Sequence, residues 1–193
     1  MRTSHLSKPV RTLIGGVVCL GILGGMMVGH AWPLWTGQIV LLRARPTDSR
    51  DLSRGEFVRL VTPAARLFVV RGAGTAPAGY VSIKPLDGWA PRRGAVAFVQ
   101  LDRRAETGEF EAVSIGDRLV DGAVNLRGRV RRSAPDGTVQ IDYGLDAFYV
   151  QEGTAKSIER ALVDGRLVQM EVAVAASGRA RIRTVLVDGA PVR

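Results

Sequence analysis

The sequence has one cysteine, Cys19, so it has no intramolecular disulfide framework and no thiolate metal cluster. It has two histidines, His5 and His30, both ahead of residue 31. The remainder therefore has no imidazole for a metal site or a Ser-His-Asp type of triad. Only three of its 27 cationic residues are lysine (Lys8, Lys84 and Lys156), and aromatics make up 6% of the chain. Proline (9) and glycine (23) are modest and follow no collagen period. At 46% apolar residues it is not a disordered polyelectrolyte. Its 193 residues suit a single domain with an appendage. No catalytic residue, metal site or cofactor is expected.

The net charge of +9 is unevenly spread. Arg2, Lys8 and Arg11 are the only charged residues before position 43; the remaining 24 cations and 18 acids give the rest of the chain +6. From Thr12 to Leu42 there is no Asp, Glu, Lys or Arg, and the run Leu13–Ala31 is strongly apolar. About 20 such residues let a helix cross the hydrocarbon core. Trp32 and Trp35 follow, where amphipathic rings favour the interface, and Pro33 is expected to end the helix. The positive-inside rule keeps the leading Arg2, Lys8 and Arg11 in the cytoplasm. The expected organisation is a cytoplasmic tail over 1–11, a transmembrane anchor over 12–35 and an exoplasmic domain over 36–193. Gly29-His30-Ala31 also has the small residues of a signal-peptide cleavage site, although the apolar run is longer than a usual signal core.

Beyond Gly37 the pattern turns to alternation, and the expected class is mainly β, a hairpin-rich sandwich or barrel-like domain with one short helix. Strands are expected at 39–45, 57–61, 95–101, 110–115, 123–132, 139–143, 167–175 and 180–187. Glu106-Thr107-Gly108-Glu109 and Ser133–Gly137 read as turns. Glu152–Val163 has Ala155, Ile158, Ala161 and Leu162 at helical spacing. Residues 66–93 read as loop-rich with one strand near Tyr80–Ile83. Leu-Val-Asp-Gly recurs at 119, 162 and 186, which is turn chemistry after an apolar pair. The expected core includes Phe57, Leu60, Phe98, Leu101, Val124, Val130, Ile141, Phe148, Ile158, Val172 and Ile182.

Two polar stretches carry a resemblance. Asp48-Ser49-Arg50-Asp51-Leu52-Ser53-Arg54-Gly55-Glu56-Phe57-Val58-Arg59-Leu60-Val61-Thr62 follows the first strand. On its own it is a turn-rich, salt-bridged segment. Further on, Tyr143-Gly144-Leu145-Asp146-Ala147-Phe148-Tyr149-Val150-Gln151-Glu152-Gly153 leads into the helix that carries Glu159. Together they resemble the GDYXXLXY family of small bacterial membrane-anchored proteins. Asp48, Arg50, Asp51, Arg54, Gly55 and Leu60 fit the first motif. Glu56 and Phe57 are conservative departures, Ser49 replaces a proline, and Thr62 replaces the final tyrosine. Loss of both signature hydroxyls favours a structural role for the signature. The resemblance implies an inner-membrane location with a periplasmic domain, and no reaction. It marks Asp48, Arg50, Asp51, Arg54, Gly55, Glu56, Tyr143, Gly144, Glu152, Gly153 and Glu159 as candidate site residues.

Glu152 and Glu159 lie two helical turns apart, and the favoured role for them is pairing with arginines of the first motif. Acid–base work by the two carboxylates, in a membrane-anchored hydrolase, is the alternative. A signal-peptidase-like Ser49–Lys84 pair is a remoter one, because Arg50-Asp51 follows the serine where that enzyme class has Met-Pro. Two arginine stripes stand apart from the motifs: Arg127, Arg129 and Arg131, and Arg179, Arg181 and Arg183. On adjacent strands they would make a basic face for anionic lipid, a wall polymer or an acidic partner. No aromatics interleave them, which argues against nucleic acid. The expected function is a non-enzymatic binding or accessory subunit of a membrane-protein partner.

Overall fold

The computed structural model describes residues 8–46, 57–70, 75–145, 147–149 and 154–192. In chain order the elements are helix α1 (Lys8–Thr36) and strands β1 (Gln38–Arg43), β2 (Arg45–Pro46), β3 (Phe57–Val61) and β4 (Arg66–Val69). Then come β5 (Val81–Pro85), β6 (Val96–Arg103), β7 (Phe110–Gly116), β8 (Val124–Ser133), β9 (Thr138–Asp142) and β10 (Ala147–Tyr149). Helix α2 (Thr154–Val163), β11 (Val168–Val174), β12 (Ala180–Val187) and β13 (Ala190–Pro191) complete the chain.

Six strands close a barrel in the order β4-β5-β7-β6-β8-β9. β4 runs parallel to β5, and β5 parallel to β7, while every other barrel pair is antiparallel. A four-stranded sheet, β1-β11-β12-β13, and a small sheet, β10-β3-β2, lie alongside. The class is therefore mainly β, as the alternation predicts. β4 is a correction, because it falls in the stretch read as loop-rich. It is four residues long and follows a short 3-10 turn at Pro63–Ala65, too brief to show a period.

The barrel buries Leu67, Ile83, Val99, Ile115, Leu126 and Val139, none more than 2% exposed. Each such side chain contributes roughly 1.5–3 kcal/mol. Leu60, Leu101, Val130, Ile141, Ile158 and Val172 are buried as expected. Val124, Phe148 and Ile182 are only partly buried against the core. Phe98 is a correction: β6 turns Ala97, Val99 and Leu101 inward and leaves Phe98 half-buried on the other face. The apolar run Val96–Val99 hides the phase, which only Gln100 and Asp102, two and four residues on from Phe98, mark. The side chain of Phe57 lies outside the description. Turn chemistry accounts for the recurring tetrapeptide, since Gly122, Gly165 and Gly189 all have φ between 71° and 80°.

α1 is 29 residues long, and every described side chain from Leu13 to Gly29 is exposed. Pro33 lies inside it rather than at its end. Thr36 Oγ1 donates to Trp32 O (3.0 Å), and the Gly37 N–H donates to Pro33 O (2.9 Å). A proline one turn from the terminus removes one hydrogen bond without ending the helix. No stretch of helix among the described residues is both long and apolar enough to cross a membrane. The expected transmembrane span is thus not shown by them.

Candidate functional site at the root of the helix

β8 projects Arg127, Arg129 and Arg131 outward between the buried Leu126, Gly128 and Val130. β12, in the other sheet, carries Arg181 and Arg183, with Arg179 in the turn before it. The two stripes are therefore not adjacent strands of one basic face, which corrects the simplest expectation. Among the described residues they are joined by a backbone hydrogen bond at one end. There the Arg127 N–H donates to Gly178 O (2.8 Å). Gly178 has φ +78°, and a Cβ on it would sit 3.0 Å from Arg127 Cβ, so the turn needs glycine on both counts.

This seam gathers half of the predicted arginines. A cleft of about 310 Å³ is lined by Arg127, Arg179, Arg181, Ala180 and Tyr143, and by Gly29 and Pro33 of α1. The rest are engaged elsewhere or lie outside it. Arg129 Nη1 donates to Gly94 O (2.9 Å). Arg131 donates through Nε and Nη2 to Asp142 Oδ2 (2.9 and 2.8 Å). Arg183 falls at the β-bulge that breaks the β11–β12 register, outside the cleft lining. Chemically, three guanidinium groups at the foot of an apolar helix make an anion-accepting surface.

The second motif is placed in part. The Tyr143 ring is partly buried, and its hydroxyl donates to Ala64 O (2.8 Å). Burial pushes the phenol above its usual pKa, so it stays protonated as a donor. Gly144 has φ +68°, and its N–H donates to Asp142 Oδ1 (2.9 Å). Partial burial raises the Asp142 pKa, but the Gly144 N–H and Arg131 outweigh it and hold the carboxyl below its usual range. Glu159 is half-buried on α2, whose inner face is Ala155, Ile158 and Ala161. Lys84 is exposed on β5.

Asp48, Ser49, Arg50, Asp51, Arg54, Gly55, Glu56, Glu152 and Gly153 lie outside the described residues. The first motif is thus visible only at its end. Leu60 is 1% exposed and Thr62 4%, so the two signature positions whose side chains are described face inward. Among the described residues, no three His, Cys, Asp or Glu side chains are grouped as metal ligands would be.

Sequence reasoning placed Glu109 in a turn and gave it no further role. The residue is buried, and its Oε1 accepts from Gln169 Nε2 (2.6 Å), tying the β6–β7 turn to β11. It also missed Gly128, the buried position on β8 against which Tyr143 packs. A glycine inside an alternating strand was the available signal.

No curated protein and no solved structure shows significant similarity to the chain. Residues 19–185, most of the chain, match the GDYXXLXY protein family. The match runs from within the helix through β12, spanning both motifs and the barrel, and the chain belongs to the GDYXXLXY protein family.

Proposed function

We propose that the chain is a single-pass protein of the bacterial inner membrane. In this reading α1 crosses the bilayer with its N-terminus in the cytoplasm, and the barrel domain stands on the periplasmic side as a non-enzymatic binding or accessory subunit. One observation carries the reading: α1 exposes apolar side chains all round, among them Leu20 at 71%, Leu23 at 63% and Met27 at 77%. A helix apolar on every face needs lipid or protein around it. The described apolar side chains run from Leu13 to Gly29, and the sequence continues the uncharged run to Leu42. At 1.5 Å per residue the described apolar stretch spans roughly 26 Å, so the reading needs the residues on either side of it to complete a core of about 30 Å. Exposed Trp32 and Trp35 would then lie at the outer interface, beside the basic cleft.

In that setting the cleft favours anionic lipid headgroups or an acidic face of a membrane-protein partner. The test is terminal epitope accessibility in intact cells, combined with alkaline extraction of membranes. Membrane retention with a protected N-terminus and an exposed C-terminus is expected. Release by alkali, or an N-terminus reachable from outside, overturns the proposal.

A further inference from the structure

A second cavity, of about 410 Å³, opens where the end of β1 meets the barrel. Its volume falls in the range of small-molecule sites. It mixes both signs of charge. Arg43, Arg45 and Arg104 line it together with Glu109, Glu111, Thr62 and Tyr80, and Pro63, Ala64 and Phe110 add apolar surface.

The groups in it are unequally satisfied. Glu109 is 6% exposed, and the only described hydrogen bond of its carboxylate uses Oε1. Among the described residues no cation lies within ion-pair distance of it, and Oε2 has no partner. A buried carboxylate with half its acceptor capacity unmet is costly unless a donor arrives. Thr62 is 4% exposed, and its hydroxyl likewise has no partner among the described residues. Tyr80 Oη accepts from Gln140 Nε2 (3.3 Å), which leaves its own proton to donate. Arg104 is paired with Glu111 (3.1 Å), whereas Arg43 and Arg45 are exposed and without described partners.

We propose that this cavity binds a small zwitterion, a free α-amino acid or a short peptide, with its ammonium on Glu109 and its carboxylate on Arg43 and Arg45. Guanidinium forks match a carboxylate. A bare anion would meet the buried Glu109, and a bare amine would meet the arginines, so a molecule bearing both charges fits best. Thr62 stands where the family signature ends in tyrosine, and the smaller side chain puts a hydroxyl where a larger ring would take up space. The site does not depend on the membrane reading.

The experiment is a thermal-shift screen of the full-length chain in detergent with the twenty free amino acids and their alanyl dipeptides. Calorimetry then follows on the best stabilisers and on their N-acetylated and C-amidated forms. At least one zwitterion is expected to bind saturably, and blocking either end should weaken it at least tenfold. Arg43→Gln/Arg45→Gln, on exposed positions, should also weaken it at least tenfold. Glu109→Gln should do the same, and Thr62→Tyr should abolish binding with no change in charge. Because Glu109 is buried, each variant's melting curve is checked first, and the arginine variant alone keeps the test decisive. The proposal fails if no zwitterion stabilises the protein. It also fails if blocked forms bind equally well, or if the folded arginine variant binds like the parent. Binding of dipeptides but not amino acids, or the reverse, assigns the source and supports the site.

Discussion

Gly128→Ala is the most exacting test of how the barrel is built. Gly128 sits in β8 opposite Ala97 of β6, with the ring of Tyr143 and the side chain of Ile141 laid against its backbone. A methyl there would overlap Ile141 Cγ2, approach Tyr143 Cδ1 to 2.7 Å and reach the Asp142 carbonyl oxygen at 2.9 Å. Ordinary carbon contacts are about 3.5–4.0 Å. Overpacking of this kind costs about 1–3 kcal/mol. If the ring is displaced, the Tyr143–Ala64 hydrogen bond is lost as well, for about 0.5–1.5 kcal/mol. Against this, alanine recovers about 0.5–1 kcal/mol of glycine's backbone entropy. The net expectation is a loss of about 2 kcal/mol, or about 4–8 °C in Tm for a chain of this size.

Thermal unfolding followed by near-ultraviolet circular dichroism would measure it. Tyr143→Ala is costly alone, but combined with Gly128→Ala the losses should fall short of the sum by about 1 kcal/mol, because the methyl then lacks the ring to strike. A Gly128→Ala protein melting at or above the parent temperature would refute the reasoning.

Three further outcomes are expected. Gly178→Ala strains a residue at φ +78° and presses on Arg127, so it should cost about 1–2 kcal/mol and speed hydrogen exchange at the Arg127 amide. Asp142 has a depressed folded pKa, so its stabilising contribution is present above the unfolded value near ~3.9 and is lost as pH falls through the folded one. With Arg131 and Asp142 62% and 31% exposed, Asp142→Asn should cost under about 1 kcal/mol by urea denaturation at pH 7, a difference that disappears in acid. Ile22→Arg puts a charge near the middle of α1, at about 2.5–3.5 kcal/mol for insertion, and should lower the membrane-bound fraction on cell fractionation.

The strands that sequence reasoning placed best are those whose alternation coincides with a polar partner face. In β8, arginines mark the outside, and the turn to β9 carries Asp136 and Gly137, with Asp136 Oδ1 accepting from the Thr138 N–H (2.8 Å). β12 begins and ends where the alternation does. In β6, by contrast, the run Val96–Val99 is apolar on both faces, and only Gln100 and Asp102 at its far end show that Phe98 shares the outer face. A barrel was one of the two architectures expected, but its choice over a sandwich and its strand order were out of reach, because closure depends on β4 and on the parallel β4-β5-β7 pairings, none of which has a hairpin turn to announce it. The site was half legible. Arginine spacing on β8 gave the correct outward face, but only the tertiary contact at Gly178 decides which arginines meet.

The charge of the domain therefore divides by circumstance more than by sequence position. Arg129 and Arg131 are held by the barrel's own backbone and by Asp142. Arg127, Arg179 and Arg181 gather beneath the helix, and Arg43, Arg45 and Arg104 surround a cavity that holds a buried carboxylate. A single net charge treats these as equal, yet each responds to neutralisation differently. In the first group it removes a structural contact; in the second it reduces attraction for an anionic surface; in the third it leaves the carboxylates of Glu109 and Glu111 uncompensated in their cavity. The two cavities share no lining residue. Substitutions in one should therefore leave the behaviour of the other nearly unchanged, as independent sites do. If neutralising Arg127 and Arg179 altered the response to zwitterions, the cleft and the cavity would have to be treated as one coupled site.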